Sequence, residues 1–355
     1  MKTDLYYRQG SSDKEYHAQI ESKGVGWVVN FQYGRRGSTL QAGSKTPQPV
    51  TQDEAQKIFD KLVAEKKAKG YTEGEAGTPY VGGTNQERVS GVVPQLLNPI
   101  EEHEVEQYIK DPDWYAQEKY DGRNRLLRVN PPKVEGINRK GLVVGLPQPL
   151  ADFAAKLGPC LLAGEIVGEV LWVFDLLERQ TRDLRELPYA VRLGALDEVF
   201  DTALQAGRDV IRKVPTAVTT QGKQDLLADL KHRNAEGIVF KRRFAVFTAG
   251  RPASGGDQLK AKFYAACSAI VARVNAQRSV GLCLLSERGT ATDVGNVSIP
   301  PNREIPKVGA VVEIRYLNAN PGGSLYQPVY LGPRDDVGWK ECSIKQLKFK
   351  RDELD

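Results

Sequence analysis

Lys119 lies in the segment Glu118-Lys119-Tyr120-Asp121-Gly122-Arg123-Asn124, and three further clusters rich in carboxylates or lysines follow it along the 355-residue chain. A lysine amine attacks phosphorus only when deprotonated, which burial or nearby cations favour. The stretch Gln258-Leu259-Lys260-Ala261-Lys262-Phe263-Tyr264 supplies such cations. Its alternation predicts a strand with Lys260 and Lys262 on one face, where two parallel ammonium groups suit a phosphate. Residues 114–120 read as another strand, ended by the turn signal Asp121-Gly122, so Lys119 is expected at a strand end beside a bend. Taken alone, a Lys-x-Asp-Gly tetrad is better described as a solvated lysine in an ordinary hairpin. The other clusters shift the reading toward phosphoryl chemistry.

Residues 161–177 form two apolar runs that read as buried strands, with Glu165 in the first and Phe174 in the second. A carboxylate in a buried strand is costly unless paired, hydrogen-bonded or metal-bound, which gives Glu165 a task. Phe174 taken singly is as well explained by core packing. In Ala235-Glu236-Gly237-Ile238-Val239-Phe240-Lys241, Glu236 opens a further β-branched run, where a surface turn acid is the plain alternative.

These clusters, in this order, make residues 97–355 resemble the ATP-dependent polynucleotide ligases of the covalent nucleotidyltransferase superfamily. The resemblance implies that Lys119 forms a phosphoramidate with AMP. Arg139, in Ile137-Asn138-Arg139-Lys140-Gly141, resembles the arginine that handles the AMP or the 5′-phosphate. Glu165 resembles the acid on the ribose, Phe174 the aromatic stacked on adenine, and Glu236 a metal-site acid. Lys260 and Lys262 resemble the pair on the α-phosphate. Arg334 resembles the arginine that orients pyrophosphate, although Val337 stands where the family pattern often has lysine. Gln117, Glu118 and Asn124 complete the implied nucleotide contacts.

The nucleophile motif is a hybrid. Most DNA ligases have arginine two residues after the glycine, where this chain has Asn124; RNA ligases often have asparagine there, with a glutamate before the lysine like Glu118. The Phe174-Asp175-Leu176-Leu177 segment, residues 184–189 and the C-terminal region resemble DNA ligases instead. A neutral amide can bond a ribose hydroxyl, so RNA on the 3′-OH side of a nick is an expected substrate.

Three in-line transfers are implied: Lys119 attacks ATP, AMP passes to a 5′-phosphate, and a 3′-OH displaces AMP. Mg²⁺, or Mn²⁺ in its place, is the expected metal, held by Glu236 with Asp121 or Glu165 as helpers. Four scattered cysteines and three histidines give no zinc pattern and no disulfide framework. With no N-terminal apolar h-region or membrane-length run, the expected setting is reduced and cytoplasmic, suited to a bacterial or phage-infected cell, and the expected state is a monomer. Net charge is only +5, but between positions 237 and 280 eight Lys or Arg face one acid, Asp257. That patch, including Lys241 and Arg251, reads as a phosphate-backbone surface for nicked duplex DNA or an RNA–DNA hybrid.

The first seventy or so residues read as short strands followed by a helix opening at Thr51-Gln52-Asp53-Glu54, with an apolar stripe and Gly70 as its stop. Trp27, Tyr33-Gly34-Arg35, Gly37 and Lys69-Gly70-Tyr71 make this block resemble a WGR domain, with Tyr33 replacing the signature tryptophan. The resemblance implies that Arg35 and Trp27 grip nucleic acid beside a break, while Trp27 fits a core position equally well. The composition of 71–94 reads as a flexible linker.

The expected fold class is α+β and multidomain. A WGR sheet-plus-helix module spans 1–75, a linker 76–93, an ATP-grasp-like adenylyltransferase domain of antiparallel sheets and helices 94–264, and an OB-fold β-barrel 265–355. Weighed against a nick-sealing DNA ligase are an RNA ligase acting on nicked RNA duplexes and a GTP-dependent RNA-capping guanylyltransferase. An NAD⁺-dependent ligase would need a nicotinamide-handling region and usually zinc and helix-hairpin-helix elements, which the sequence lacks, and a non-catalytic break-binding protein would have no use for Lys119 or Glu236.

Overall fold

The computed structural model describes residues 1–9, 12–36, 40–75, 77–83, 88–180, 182–204, 207–275 and 277–349. They pack as two compact units, the first holding most of the chain up to Ala261 and the second most of it from Lys262 onward.

The chain begins with β1 (Lys2–Gln9), β2 (Ser12–Lys23), β3 (Gly26–Arg35) and β4 (Gln41–Ser44), a meander in the order β1-β2-β3-β4, followed by α1 (Gln52–Ala68). Ala55, Phe59 and Leu62 recur at helical spacing and are buried against Leu5, Tyr16 and Val29 of the sheet. Thr51 Oγ1 accepts from Glu54 N at 3.3 Å, the cap expected from the sequence. Lys69 closes the helix, and Gly70 follows with φ +86°, a conformation that favours glycine. Gly37 lies outside the described residues.

The next elements are β5 (Tyr80–Val81), β6 (Asn98–Pro99), α2 (Val105–Lys110), β7 (Trp114–Lys119), β8 (Arg123–Asn130), β9 (Lys133–Ile137), β10 (Val143–Val144), β11 (Leu146–Pro147) and α3 (Gln148–Ala154). After them come β12 (Cys160–Val167), β13 (Val170–Arg179), β14 (Arg182–Asp183), α4 (Tyr189–Val199), β15 (Ile211–Lys213), β16 (Thr216–Ala217), α5 (Thr220–His232), β17 (Gly237–Arg242) and β18 (Gln258–Lys262). One sheet runs β10-β9-β8-β12-β13-β14, with β15 added parallel to β13, and a second runs β16-β7-β17-β18-β6.

Leu126 and Leu127 are adjacent on β8 and both fully buried, so the first sheet is covered on both faces. One face packs Leu127, Leu162 and Val173 against Leu150, Leu193 and Leu196 of α3 and α4. The other carries Leu126, Ile137, Leu161 and Leu177, with Phe174 only partly buried beside them.

The stretch read as a flexible linker is ordered in part. Val81 and Tyr80 pair with Leu146 and Pro147, and Val89 bridges to Leu142. Its Gly- and Thr-rich composition hid these pairings, because backbone hydrogen bonds need few apolar side chains.

The second unit holds β19 (Ala265–Val274), β20 (Ser279–Leu285), β21 (Ala291–Ser298), β22 (Val311–Tyr316), β23 (Asn318–Ala319), β24 (Leu325–Tyr326) and β25 (Val329–Pro333). The five longer strands order as β21-β20-β19-β22-β25, and the two outer strands, β21 and β25, come within 8 Å at several Cα pairs, so the sheet curls toward closure. Val271, Leu282, Leu284, Val294 and Ile314 fill its interior. Among the described residues, no helix is long and apolar enough to cross a membrane.

Candidate active site

Lys119 ends β7, and the register that positions it is fixed on both sides. Lys119 pairs with Gly237 and Gln117 with Val239 across β17. At the start of the strand, the buried Lys223 ammonium donates to the carbonyls of Tyr108 (2.8 Å), Asp111 (2.6 Å) and Trp114 (3.0 Å), clamping β7 to α5. Lys119 Nζ donates to Tyr120 O at 3.3 Å, and the Tyr120 ring stacks on Trp172 of β13, centroids 4.5 Å apart. The bend after Lys119 is pressed onto β12. A Cβ built on Gly122 would lie 2.8 Å from Glu165 Cγ and 2.9 Å from Val167 Cγ2, and still closer to Ile166 O. Only glycine brings the Asp121-Gly122 turn this near Glu165.

Asn124, the second residue of β8, lies directly opposite Glu165. Asn124 Oδ1 is buried, and no hydrogen-bond partner is found for it among the described residues. Such an atom costs free energy unless a ligand or water completes it. Phe174 lies on the neighbouring β13, and its surroundings are the part of the site that sequence reasoning missed. Gln117 Nε2 donates to Tyr189 Oη (3.0 Å) and to Thr216 Oγ1 (2.8 Å), and Tyr189 Oη donates to Phe174 O at 3.0 Å. Asp175, next to Phe174, takes a two-pronged bond from Arg192, Nε to Oδ1 and Nη2 to Oδ2, both at 2.9 Å, with both side chains buried. The one available signal was an acid inside an apolar run, the argument already applied to Glu165.

Lys241 was expected on a nucleic-acid surface, and the structure corrects this. It is 2% exposed, with Nζ 3.8 Å from the Phe174 ring centroid and 5.0 Å from that of Tyr189. Burial lowers its pKa to about 7, against the opposing pull of Asp175. The charge run Lys241-Arg242-Arg243 read as part of a phosphate-backbone surface, but on β17 the first of the three points inward. Trp27 is half-buried against the core of the N-terminal sheet, its backbone paired to Val50. Arg35 and Arg251 are exposed, as an anion-contacting role needs.

Lys260 and Lys262 alternate with the buried Leu259 and Ala261, so the two lysines share one strand face. In the second unit, Lys262 Nζ lies 2.8 Å from the Glu236 carboxylate and 3.2 Å from Gln327 Oε1. Arg139 is exposed at the tip of the 138–141 turn, where Asn138 Oδ1 accepts from Lys140 N (2.9 Å) and Leu142 N (3.1 Å). Arg334 is bound in a two-pronged pair with Asp336, both bonds 2.8 Å. Among the described residues, no group of three or more His, Cys, Asp or Glu gathers to hold a metal. Mg²⁺ commonly takes one or two carboxylates and fills its remaining positions with water and phosphate oxygens, so the single carboxylates of Asp121, Glu165 or Glu236 are donors of a suitable kind.

Residues 2–78 match the family model for the WGR domain. The N-terminal module is a WGR domain. A search of curated proteins found no match to the chain. Among solved structures, one described as "DNA binding with a minimal scaffold: Structure-function analysis of Lig E DNA ligases" is 16% identical, with a TM-score of 0.52 over 68% of this chain and 99% of that one. Another, described as "Pmar-Lig_Pre.", is 15% identical, with a TM-score of 0.53 over 79% of this chain and 72% of that one. The ligase domain from M. tuberculosis LigD is 18% identical, with a TM-score of 0.42 over 72% and 99%. The WGR domain is thus followed by a chain that shares its fold with DNA ligase structures.

Proposed function

We propose that the protein is an ATP-dependent polynucleotide ligase that seals 3′-OH/5′-phosphate nicks in duplex DNA through a lysyl-AMP intermediate on Lys119. The observation that carries this reading is the placement of Lys119 at a strand end, with its following turn pressed onto Glu165 and with Phe174 on the adjoining strand. In this reading the Lys119 amine displaces pyrophosphate from the α-phosphorus of ATP. The 5′-phosphate of the nick then takes AMP from Lys119, and the 3′-OH attacks that activated phosphate, releasing AMP. Phe174 stacks on the base, Glu165 binds the ribose, and Lys260 neutralises phosphate charge. Positioning and charge neutralisation supply most of the acceleration, because phosphoryl transfer asks little covalent chemistry of a protein. Divalent metal, held by a carboxylate such as Glu236 or Asp121, would offset the charge on the phosphate oxygens.

The WGR domain, through Arg35, is proposed to hold nucleic acid beside the break. Asn124 supports a finer reading, acceptance of RNA on the 3′-OH strand, since its unpartnered Oδ1 can take a hydrogen bond from a ribose hydroxyl.

The test is sealing of four matched nicked duplexes, with DNA or RNA on each side of the nick, using ATP, Mg²⁺ and wild-type or Lys119→Ala protein. Sealing that survives in Lys119→Ala sinks the covalent mechanism. A sugar preference that is identical in Asn124→Arg removes the support for the RNA reading.

A further inference from the structure

Lys241 has no place in the steps proposed above, yet it is a buried cation in the neighbourhood of Phe174. It is buried on β17, and no carboxylate hydrogen bond to it is found among the described residues. Its polar contact is the Phe174 carbonyl, at 3.5 Å from Nζ. A lysine in such a position is disfavoured by desolvation, and a methionine of similar length would pack there without that cost. The ammonium instead sits 3.8 Å from the Phe174 centroid, at cation–π distance.

Three elements converge on Phe174. Tyr189 of α4 donates to its carbonyl and is itself held by Gln117 of β7, two residues before Lys119. Lys241 of β17 covers the ring. Asp175, the next residue, is neutralised by Arg192, so the local charge left over is that of Lys241. A cation against one face of an aromatic ring draws electron density toward itself and leaves the other face better matched to an electron-rich purine.

We propose that Lys241 is a positioning residue for nucleotide binding, holding and polarising the Phe174 ring from the side away from the base. The inference rests on the adenylylation reading, in which Phe174 stacks on adenine. The groups facing Lys241 are Phe174 and Asp175 on β13, Tyr189 and Arg192 on α4, and its register partner Tyr115 on β7. Burial places its pKa near 7, so the ammonium is present below that pH and is lost as pH rises through it. The stack is therefore tightest on the acid side.

The experiment measures label transfer from α-³²P-ATP to the full-length protein between pH 6 and 9 for wild type, Lys241→Met and Lys241→Arg, with thermal midpoints alongside. Lys241→Met is expected to raise KM for ATP roughly ten-fold with kcat within about two-fold. Its thermal midpoint should be equal or higher, because a buried charge has been removed. Lys241→Arg, which stays charged throughout, should keep near-wild-type KM and lose the rise of KM above neutral pH. Unchanged KM in Lys241→Met overturns the proposal. So does a wild-type pH slope persisting in Lys241→Arg, which decides the matter even where the methionine variant is unstable. Absence of labelled wild-type protein overturns the adenylylation reading itself, and this proposal with it.

Discussion

Gly122 and Glu165 are packed so closely that a Cβ on Gly122 would lie 2.8 Å from Glu165 Cγ. The nucleophile's turn and the carboxylate strand are therefore one mechanical unit. Gly122→Ala must push the Asp121-Gly122 bend away from β12, costing about 1–3 kcal/mol of stability, as overpacking does. Its effect on Lys119 adenylylation is expected to be larger than on folding, a loss of at least roughly ten-fold in rate, since about 1.4 kcal/mol of barrier suffices for that. Rapid-quench labelling with ATP, set beside urea denaturation, checks both. A variant that labels at the wild-type rate would show that the turn's position is irrelevant to the chemistry.

The Asp175–Arg192 pair makes a second prediction, about folding. Both side chains are buried and joined by two bonds of 2.9 Å. Removing one partner strands a buried charge, so Arg192→Met is expected to cost about 3–5 kcal/mol, while the double replacement Asp175→Leu with Arg192→Met should recover most of that loss. Urea midpoints of the four proteins close the cycle. A double variant whose loss equals the sum of the two single losses would mean that the two residues act independently.

Much of this architecture was legible because its signals are local. Thr51 and Gly70 bracket α1 through short-range backbone chemistry, and the apolar runs around Glu165 and Phe174 became β12 and β13 because a buried strand advertises itself by continuous hydrophobicity. β21 escaped notice, since Asp293, Gly295 and Asn296 interrupt its apolar alternation. The placement of Lys241 was lost for a different reason. Lys241 follows a buried run and precedes two arginines, and one-dimensional charge counting cannot tell which member of the run faces inward. Arg192 lies 17 residues from its partner, a pairing that only the packing of α4 on β13 creates.

Stability of the WGR domain should depend on His17. Its Nδ1 is 2.5 Å from Asp4 and its Nε2 is 3.1 Å from Glu15. Burial opposes the charged ring, but the bonds to Asp4 and then Glu15 outweigh it and raise its pKa to about 9 from 6.5. A raised cationic pKa stabilises the fold fully below about pH 6.5, and that contribution disappears as pH rises through about 9. Because the site is partly solvent-exposed, the contribution is on the order of 1 kcal/mol. An NMR titration of His17 should show a midpoint near 9, and the stability gap between wild type and His17→Gln should close between pH 6.5 and 9.5. A midpoint near 6.5 would remove the ion pair from the account.

The ordered segment after the WGR helix changes what truncation should do. Arg123, four residues beyond Lys119, donates to Glu73 O (3.0 Å) and to Tyr80 Oη (2.7 Å), and its guanidinium lies 5.2 Å from the Tyr80 ring centroid. Tyr80 and Val81 also add a short strand to Leu146 and Pro147. Composition alone predicts that deleting everything before Val89 removes only nucleic-acid grip. The contacts predict two outcomes separated by the cut site. Deleting residues 1–71 keeps Glu73 and Tyr80 on Arg123, so it should weaken nick binding and spare Lys119 adenylylation. Deleting residues 1–88 leaves a half-buried guanidinium without those acceptors, and should also slow adenylylation several-fold, consistent with about 1–2 kcal/mol for lost charge-assisted bonds. Equal adenylylation rates in the two truncations would show that the segment is a passive tether. A slower rate only in the longer deletion, reproduced by Arg123→Ala in the full chain, would show that it braces the strand that follows the nucleophile's turn.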